Sequence, residues 1–286
     1  MNKTFEFRKI RDFGTVMNHS FDFIKLEYKR LGKALLIYAL PVFVVTGILL
    51  ILIQNSMANT FDSSAQSPTN ILKNFSWGTM AYSYLIQLLN YTVLSTVVYS
   101  FINLYRKKQA DFKVEYLKSS LLKIGFKLLI AYIVVGVILV VATCLLIIPG
   151  IYLGVVFSLV APIIVFEEVG LGKSMSRSFE VIKGNWWKTF GIIAIGAAII
   201  YILSIILSIP LIVTTAAKSL HAATNHTQPK IFSSGYFIYS TIIEIIKLFA
   251  YTLVLVFISV QYFSLVEEKE RPTLQERIDK LDDKNA

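Results

Sequence analysis

Five stretches free of charged residues organise the chain: 34–61, 74–105, 128–166, 189–217 and 248–266. The apolar part of the first ends near Gln54, and the last extends outward through Glu244 and Lys247. A helix rises about 1.5 Å per residue, so crossing a hydrocarbon core of about 30 Å takes roughly 20 apolar residues. The third stretch is too long for one straight helix, and Pro149-Gly150 near its middle is a turn signal. The pattern predicts an all-α fold, a polytopic membrane helix bundle. Its six transmembrane helices lie at about 34–54, 77–105, 128–148, 151–166, 189–216 and 238–265, in three hairpins.

The polar intervals are not equivalent. Segments 1–33, 106–127, 167–188 and 264–286 hold 8, 7, 4 and 5 of the 28 Lys and Arg residues. The opposite side holds only Lys73, Lys218 and Lys230. Lys and Arg accumulate in cytoplasmic loops, so both termini are expected in the cytoplasm. The same bias requires 128–166 to cross an even number of times. The expected organisation is a cytoplasmic basic amphipathic segment (1–33), a six-span membrane domain (34–266) and a cytoplasmic tail (267–286).

The basic segments have an internal order. Ser20-Phe21-Asp22-Phe23-Ile24-Lys25 recurs at an offset of 158 as Ser178-Phe179-Glu180-Val181-Ile182-Lys183. Met17, Phe21, Ile24 and Tyr28 correspond to Met175, Phe179, Ile182 and Trp186, and their spacings of 4, 3 and 4 place them on one helical face. Lys25, Lys29 and Arg30 fall mostly elsewhere, as do Arg177, Lys183 and Lys188. A basic amphipathic helix feeding a span suits the membrane interface, and Trp186-Trp187 suit the headgroup level. These eight residues, Lys25, Lys29, Arg30, Arg177, Lys183, Trp186, Trp187 and Lys188, are candidate lipid-headgroup contacts. A weaker third copy runs through Leu117, Leu121 and Ile124 among Lys118, Lys123 and Lys127. Each hairpin is thus expected to follow a cytoplasmic amphipathic interfacial helix.

Composition sharpens this picture. Of 286 residues, 55% are hydrophobic and 16% charged, against roughly a quarter charged in soluble domains. That disfavours a soluble enzyme, a disordered tail and a disulfide scaffold. The net charge of +10 equals the excess carried by segments 1–33, 106–127 and 167–188. It belongs to the face of the membrane, which points to anionic headgroups as partner rather than nucleic acid. The single cysteine, Cys144, has no intramolecular partner. No apolar signal region precedes the first basic segment, so no cleaved leader is expected.

Pro149-Gly150-Ile151-Tyr152-Leu153, Ser158-Leu159-Val160-Ala161-Pro162 and the run Arg177 to Trp187 resemble bacterial membrane proteins related to the membrane domain of glycerophosphodiester phosphodiesterases. The resemblance is clearest over 128–200. Arg11-Asp12-Phe13-Gly14 and Phe263-Ser264-Leu265-Val266-Glu267 resemble a Bacteroidota branch of that family. It implies a multi-pass protein of the bacterial cytoplasmic membrane and carries no known catalytic residue. About 20 residues follow the last span, so no phosphodiesterase domain is expected here. Members of that branch are sometimes named as carotenoid-cleaving oxygenases. Their iron needs converging histidines, whereas His19 is expected on one side and His221 and His226 on the other.

Candidate chemistry is sparse. Gly170-Leu171-Gly172-Lys173-Ser174 ends like a phosphate-binding loop, but Glu167 stands where the first glycine belongs. Glu167-Glu168 reads as a solvated helix end. No HExxH, GxSxG or CxxC occurs. No catalytic residue, cofactor or metal site is assigned. Ser240, Glu244, Lys247 and Tyr251 share one helical face, and an ionisable residue in a span is a functional candidate. Gln87 and Asn90 lie one turn apart nearer the midplane, where buried amides commonly bond across helices. With Glu244 and Lys247 they form the candidate polar intramembrane site. The tail carries Thr273-x-x-Glu276, a capping box, which predicts a short helix over 274–281 able to meet a protein partner. Three functions stay open: a non-catalytic lipid-interacting or accessory membrane protein, a small-solute or proton transporter using the polar site, and a lipid-modifying enzyme.

Overall fold

The first helix starts where Asp12 accepts the Thr15 amide on its carboxylate (3.1 Å) and the Val16 amide on its carbonyl (3.0 Å), an N-cap. In the computed structural model, which describes residues 5–64, 77–108, 112–225 and 233–271, this helix (α1) runs Phe13–Tyr38. It is followed by α2 (Leu40–Ser64), α3 (Trp77–Lys108) and a 3-10 turn (Val114–Leu117) that leads into α4 (Lys118–Leu145). Then come α5 (Ile147–Phe157), α6 (Val160–Phe166), α7 (Leu171–Ile182), α8 (Trp186–Thr224) and α9 (Ser234–Glu270). No strand occurs among the described residues. The tail helix expected over 274–281 lies outside them.

Five segments are long and apolar enough to cross a membrane: Met80–Lys107, Val114–Leu145, Ile147–Phe166, Trp186–Thr224 and Ser234–Glu270. A sixth is the pair α1 and α2, bent by 48°. The bend has a local cause. Pro41 cannot donate to the carbonyl four residues back, and its ring crowds that carbonyl, so the helix breaks at Ala39. The fold is thus an all-α bundle of the membrane type. Its surface agrees. Only 17% of the most apolar window is buried in α4 and in α8, against 61% in α3. Val137, Val140, Ile206 and Ile212 are among many large apolar side chains left exposed there. Such a surface is far larger than soluble monomers carry and matches hydrocarbon.

The 39-residue apolar run does turn, but at Leu146, whose backbone is extended (φ −156°, ψ 133°), three residues before the proline. Pro149 instead sits in the first turn of α5, where a missing N–H costs nothing. Gly150 permits the close return: a Cβ there would overlap Thr143 Oγ1 and lie 3.0 Å from Thr143 Cα.

The described contacts divide the chain into two units: one within Met1–Leu36, Thr92–Ala197 and Thr252–Ala286, the other within Ile37–Tyr91 and Ala198–Tyr251. The repeat lies in the first. Val16, Ser20 and Phe23 of α1 are buried, and so are their counterparts Ser174, Ser178 and Val181 of α7. Phe21 packs edge-to-face on Phe257 (5.5 Å, 80°), and Phe179 packs likewise on Phe157 (5.6 Å, 87°). The buried face is therefore one position round from the Met17, Phe21, Ile24, Tyr28 stripe. The copies also end differently. α1 continues to Tyr38, whereas α7 stops at a Lys183-Gly184-Asn185 turn in which Gly184 adopts φ +85°. The third copy has no separate interfacial helix, since α4 runs unbroken from Lys118 to Leu145.

Candidate functional site

The eight candidate headgroup residues all belong to the first unit, and they separate into two sets. Arg30 bonds Glu27 (3.2 Å) and the Phe112 carbonyl (2.8 Å) and lies 4.3 Å over the Phe112 ring. Lys188 donates to the Arg11 carbonyl at 2.6 Å. Trp186 donates to the Tyr152 carbonyl (3.2 Å) and stacks between Tyr152 and Phe190. Arg177 reaches Glu167 (3.1 Å), Glu180 (3.3 Å) and Glu270. These four side chains are committed within the protein. Lys25, Lys29 and Lys183 are exposed and make no ion pair among the described residues, and Trp187 is 77% exposed.

Arg177 is the centre of an ion-pair hub. Glu167, half-buried rather than solvated, accepts from Arg177 and from the Tyr262 hydroxyl (2.8 Å). Burial would lower the Arg177 pKa, but the Glu270 and Glu167 carboxylates outweigh it and raise it. The hub joins the end of α6, α7 and the end of α9. Glu168, next in the chain, has positive φ (57°) and pairs with Lys107, whose hydrogen bond holds its carboxyl below the usual range.

A second buried cation fixes the segment before α1. Arg11 is 3% exposed, donates to the carbonyls of Phe7 (2.6 Å) and Lys9 (3.1 Å) and to that of Glu6, and donates its Nε–H to His19 Nδ1 at 2.8 Å. The Arg11 amide donates to Ser264 Oγ at 2.9 Å. Sequence reading noted Arg11 and Ser264 only within family-like strings; nothing in either string shows that they meet.

Between α3, α4 and α6, and wholly within the first unit, lies a cavity of about 280 Å³. Asn103, Ser120, Lys123, Ile124, Lys127, Ile164, Val165 and Glu168 line it. Lys123 and Lys127, one helical turn apart, make no ion pair among the described residues. In the sequence they stand out only as part of the weak third repeat.

The candidate intramembrane site belongs to the second unit. Lys247 Nζ bonds Glu244 Oε1 at 3.0 Å on the same helix, both side chains partly exposed. Asn90 is buried, and its side-chain oxygen accepts the Thr46 hydroxyl at 2.8 Å, across to α2. Gln87 is half-buried. Asn90 bonds Thr46, whereas Glu244 and Lys247 bond each other. Among the described residues no three His, Cys, Asp or Glu side chains are placed to share a metal ion. His226 lies outside the described residues.

Comparison of the chain with protein-family models, curated proteins and solved structures finds no match in any of the three.

Proposed function

We propose that this is a multi-pass protein of the bacterial cytoplasmic membrane, both termini cytoplasmic, whose role is non-catalytic association with anionic lipid headgroups. The observation that carries the reading is the division among its basic residues. Arg30, Arg177 and Lys188 are spent on internal partners, while Lys25, Lys29 and Lys183 stay exposed without an ion pair among the described residues, and Trp187 is exposed as well. Exposed cations near an anionic leaflet each contribute about 1 kcal/mol. An aromatic at the same level suits the interface. The resemblance to stand-alone relatives of a phosphodiesterase membrane domain agrees with a role without a catalytic group.

The test is headgroup preference. The three lysines together account for about 3 kcal/mol, or roughly a hundredfold preference at most. Full-length protein in bilayers is expected to show stronger tryptophan quenching by brominated phosphatidylglycerol than by brominated phosphatidylcholine. Lys25→Gln, Lys29→Gln and Lys183→Gln combined should reduce the difference. Equal quenching by both lipids in the unaltered protein would sink the reading.

A further inference from the structure

We infer that the cavity between α3, α4 and α6 binds a phosphate group, with Lys123 and Lys127 as its two cationic contacts. Their arrangement favours an anion between them. Like charges at i and i+4 of a helix repel, which destabilises the helix unless an anion sits between them. Among the described residues neither lysine has an ion-pair partner. Glu168 is the one carboxylate in the lining, and it is held by Lys107. Arg106 adds positive field behind the wall, where it donates to Asn103 Oδ1 and to the Phe166 carbonyl, both at 3.0 Å.

The remaining lining fits a phosphate carried on a small organic group. Ser120 stands three residues before Lys123 on the same face of α4. Its hydroxyl donates to the Leu117 carbonyl at 3.1 Å, which leaves its lone pairs for a donor on the ligand. Asn103 is anchored on the opposite wall by donation to the Val165 carbonyl at 3.3 Å. Ile124, Ile164 and Val165 give an apolar floor. A volume of about 280 Å³ holds a glycerophosphate-sized group and not a whole lipid. Leu122, 89% exposed, and Phe126, 65% exposed, continue the apolar surface along α4, where acyl chains can lie. Lysine binds phosphate as a flexible point charge, and basic pockets between membrane helices commonly hold phospholipid headgroups. The site deepens the proposed lipid association and rests on it only for a lipid source of the phosphate; a soluble phosphate compound would use the same groups.

The test separates these sources and separates this site from the exposed lysines. Melting of the full-length protein in uncharged detergent is followed against phosphatidic acid, phosphatidylglycerol and inorganic phosphate. Three proteins are compared: unaltered, Lys123→Gln with Lys127→Gln, and Lys25→Gln with Lys29→Gln and Lys183→Gln. Both cavity lysines are exposed, so replacing them empties no core. A phosphate-bearing ligand is expected to raise the melting temperature of the unaltered protein. Half-saturation in the cavity variant should move to a concentration on the order of tenfold higher or beyond. The variant lacking Lys25, Lys29 and Lys183 should keep its response. Stabilisation by the lipids alone assigns a lipid headgroup; stabilisation by inorganic phosphate as well assigns the phosphate group whatever carries it. The inference is overturned if no phosphate compound stabilises the unaltered protein, or if the cavity variant responds unchanged. Loss confined to the Lys25, Lys29 and Lys183 variant would overturn the cavity while leaving surface association standing.

Discussion

Arg177 Nε and the Tyr262 hydroxyl donate to the same oxygen of Glu167, at 3.1 and 2.8 Å. One partly buried carboxylate therefore holds two helices at the end of α6. Removing the arginine leaves Glu167 with its charge less compensated and frees Glu270. A broken, fully buried ion pair costs about 3–5 kcal/mol and an exposed one under about 1 kcal/mol. With Arg177 and Glu167 each about a fifth to a quarter exposed, Arg177→Gln is expected to cost about 2 kcal/mol. Glu167→Gln should cost a similar amount, and the double variant less than the two together. Melting in detergent checks this, and strict additivity would show that the two groups do not interact.

The hairpin between α4 and α5 depends on Gly150. A methyl there meets Thr143 Oγ1 and its backbone, which cannot move aside cheaply. Gly150→Ala should destabilise by about 1–3 kcal/mol, the usual range for overpacking. Adding Thr143→Ala relieves only the hydroxyl clash, because Thr143 Cα still lies 3.0 Å away. Partial rescue in thermal melting is the expected result; full rescue would place the close approach elsewhere.

The elements most legible in the sequence were those whose cause is local. Uncharged length marked the long apolar helices, though not the break at Ala39, and the matched strings at offset 158 marked α1 and α7. Local pattern missed the details that depend on neighbours. The apolar stripe through Phe21 and Phe179 was visible, yet the core face runs through Ser20 and Ser178, both fully buried. Each of these serines satisfies its hydroxyl on its own helix, at Val16 O and Met175 O, so a polar residue sits inside at little cost. Pro149 signalled a break, but a proline fits the first turn of a new helix as well as a turn before it. Arg177 looked like a surface cation because its partner Glu270 is 93 residues away. The cavity lysines had a faint signal as part of the weak third repeat, and their want of an ion-pair partner among the described residues is a fact of three-dimensional packing.

The segment before α1 should respond to pH. His19 Nδ1 accepts from Arg11, which requires the neutral imidazole. Burial, then the Arg11 charge, with Lys9 adding and Asp22 and Asp12 opposing, hold the His19 pKa below its ordinary 6.5. A depressed histidine pKa means the unfolded segment binds the proton more readily. The stabilisation is complete above pH of about 6.5 and falls as the pH drops toward the folded value. The Arg11 amide, bonded to Ser264 Oγ, is expected to exchange its hydrogen faster at pH 5 than its intrinsic rate predicts. His19→Asn retains an acceptor without a titrating group and should abolish the effect. Protection that is unchanged in the unaltered protein would disprove the coupling.

Asn90 and Thr46 distinguish packing from a polar path. The Thr46 hydroxyl has three acceptors within reach: Asn90 Oδ1 at 2.8 Å, and the carbonyls of Val42 at 2.9 Å and Phe43 at 3.1 Å. One proton serves one strong bond at a time, so losing Asn90 lets the hydroxyl turn back onto its own helix. Asn90→Leu should then cost less than about 1 kcal/mol. Thr46→Val removes the donor and leaves the Asn90 oxygen buried, which should cost about 1–2 kcal/mol. The double variant is expected to be close to Asn90→Leu alone. If Asn90 instead lined a solute path, Asn90→Leu would leave stability nearly unchanged but abolish flux in proteoliposomes. A larger loss for Thr46→Val than for Asn90→Leu, with no change in any flux, identifies the amide as interhelical glue within that unit.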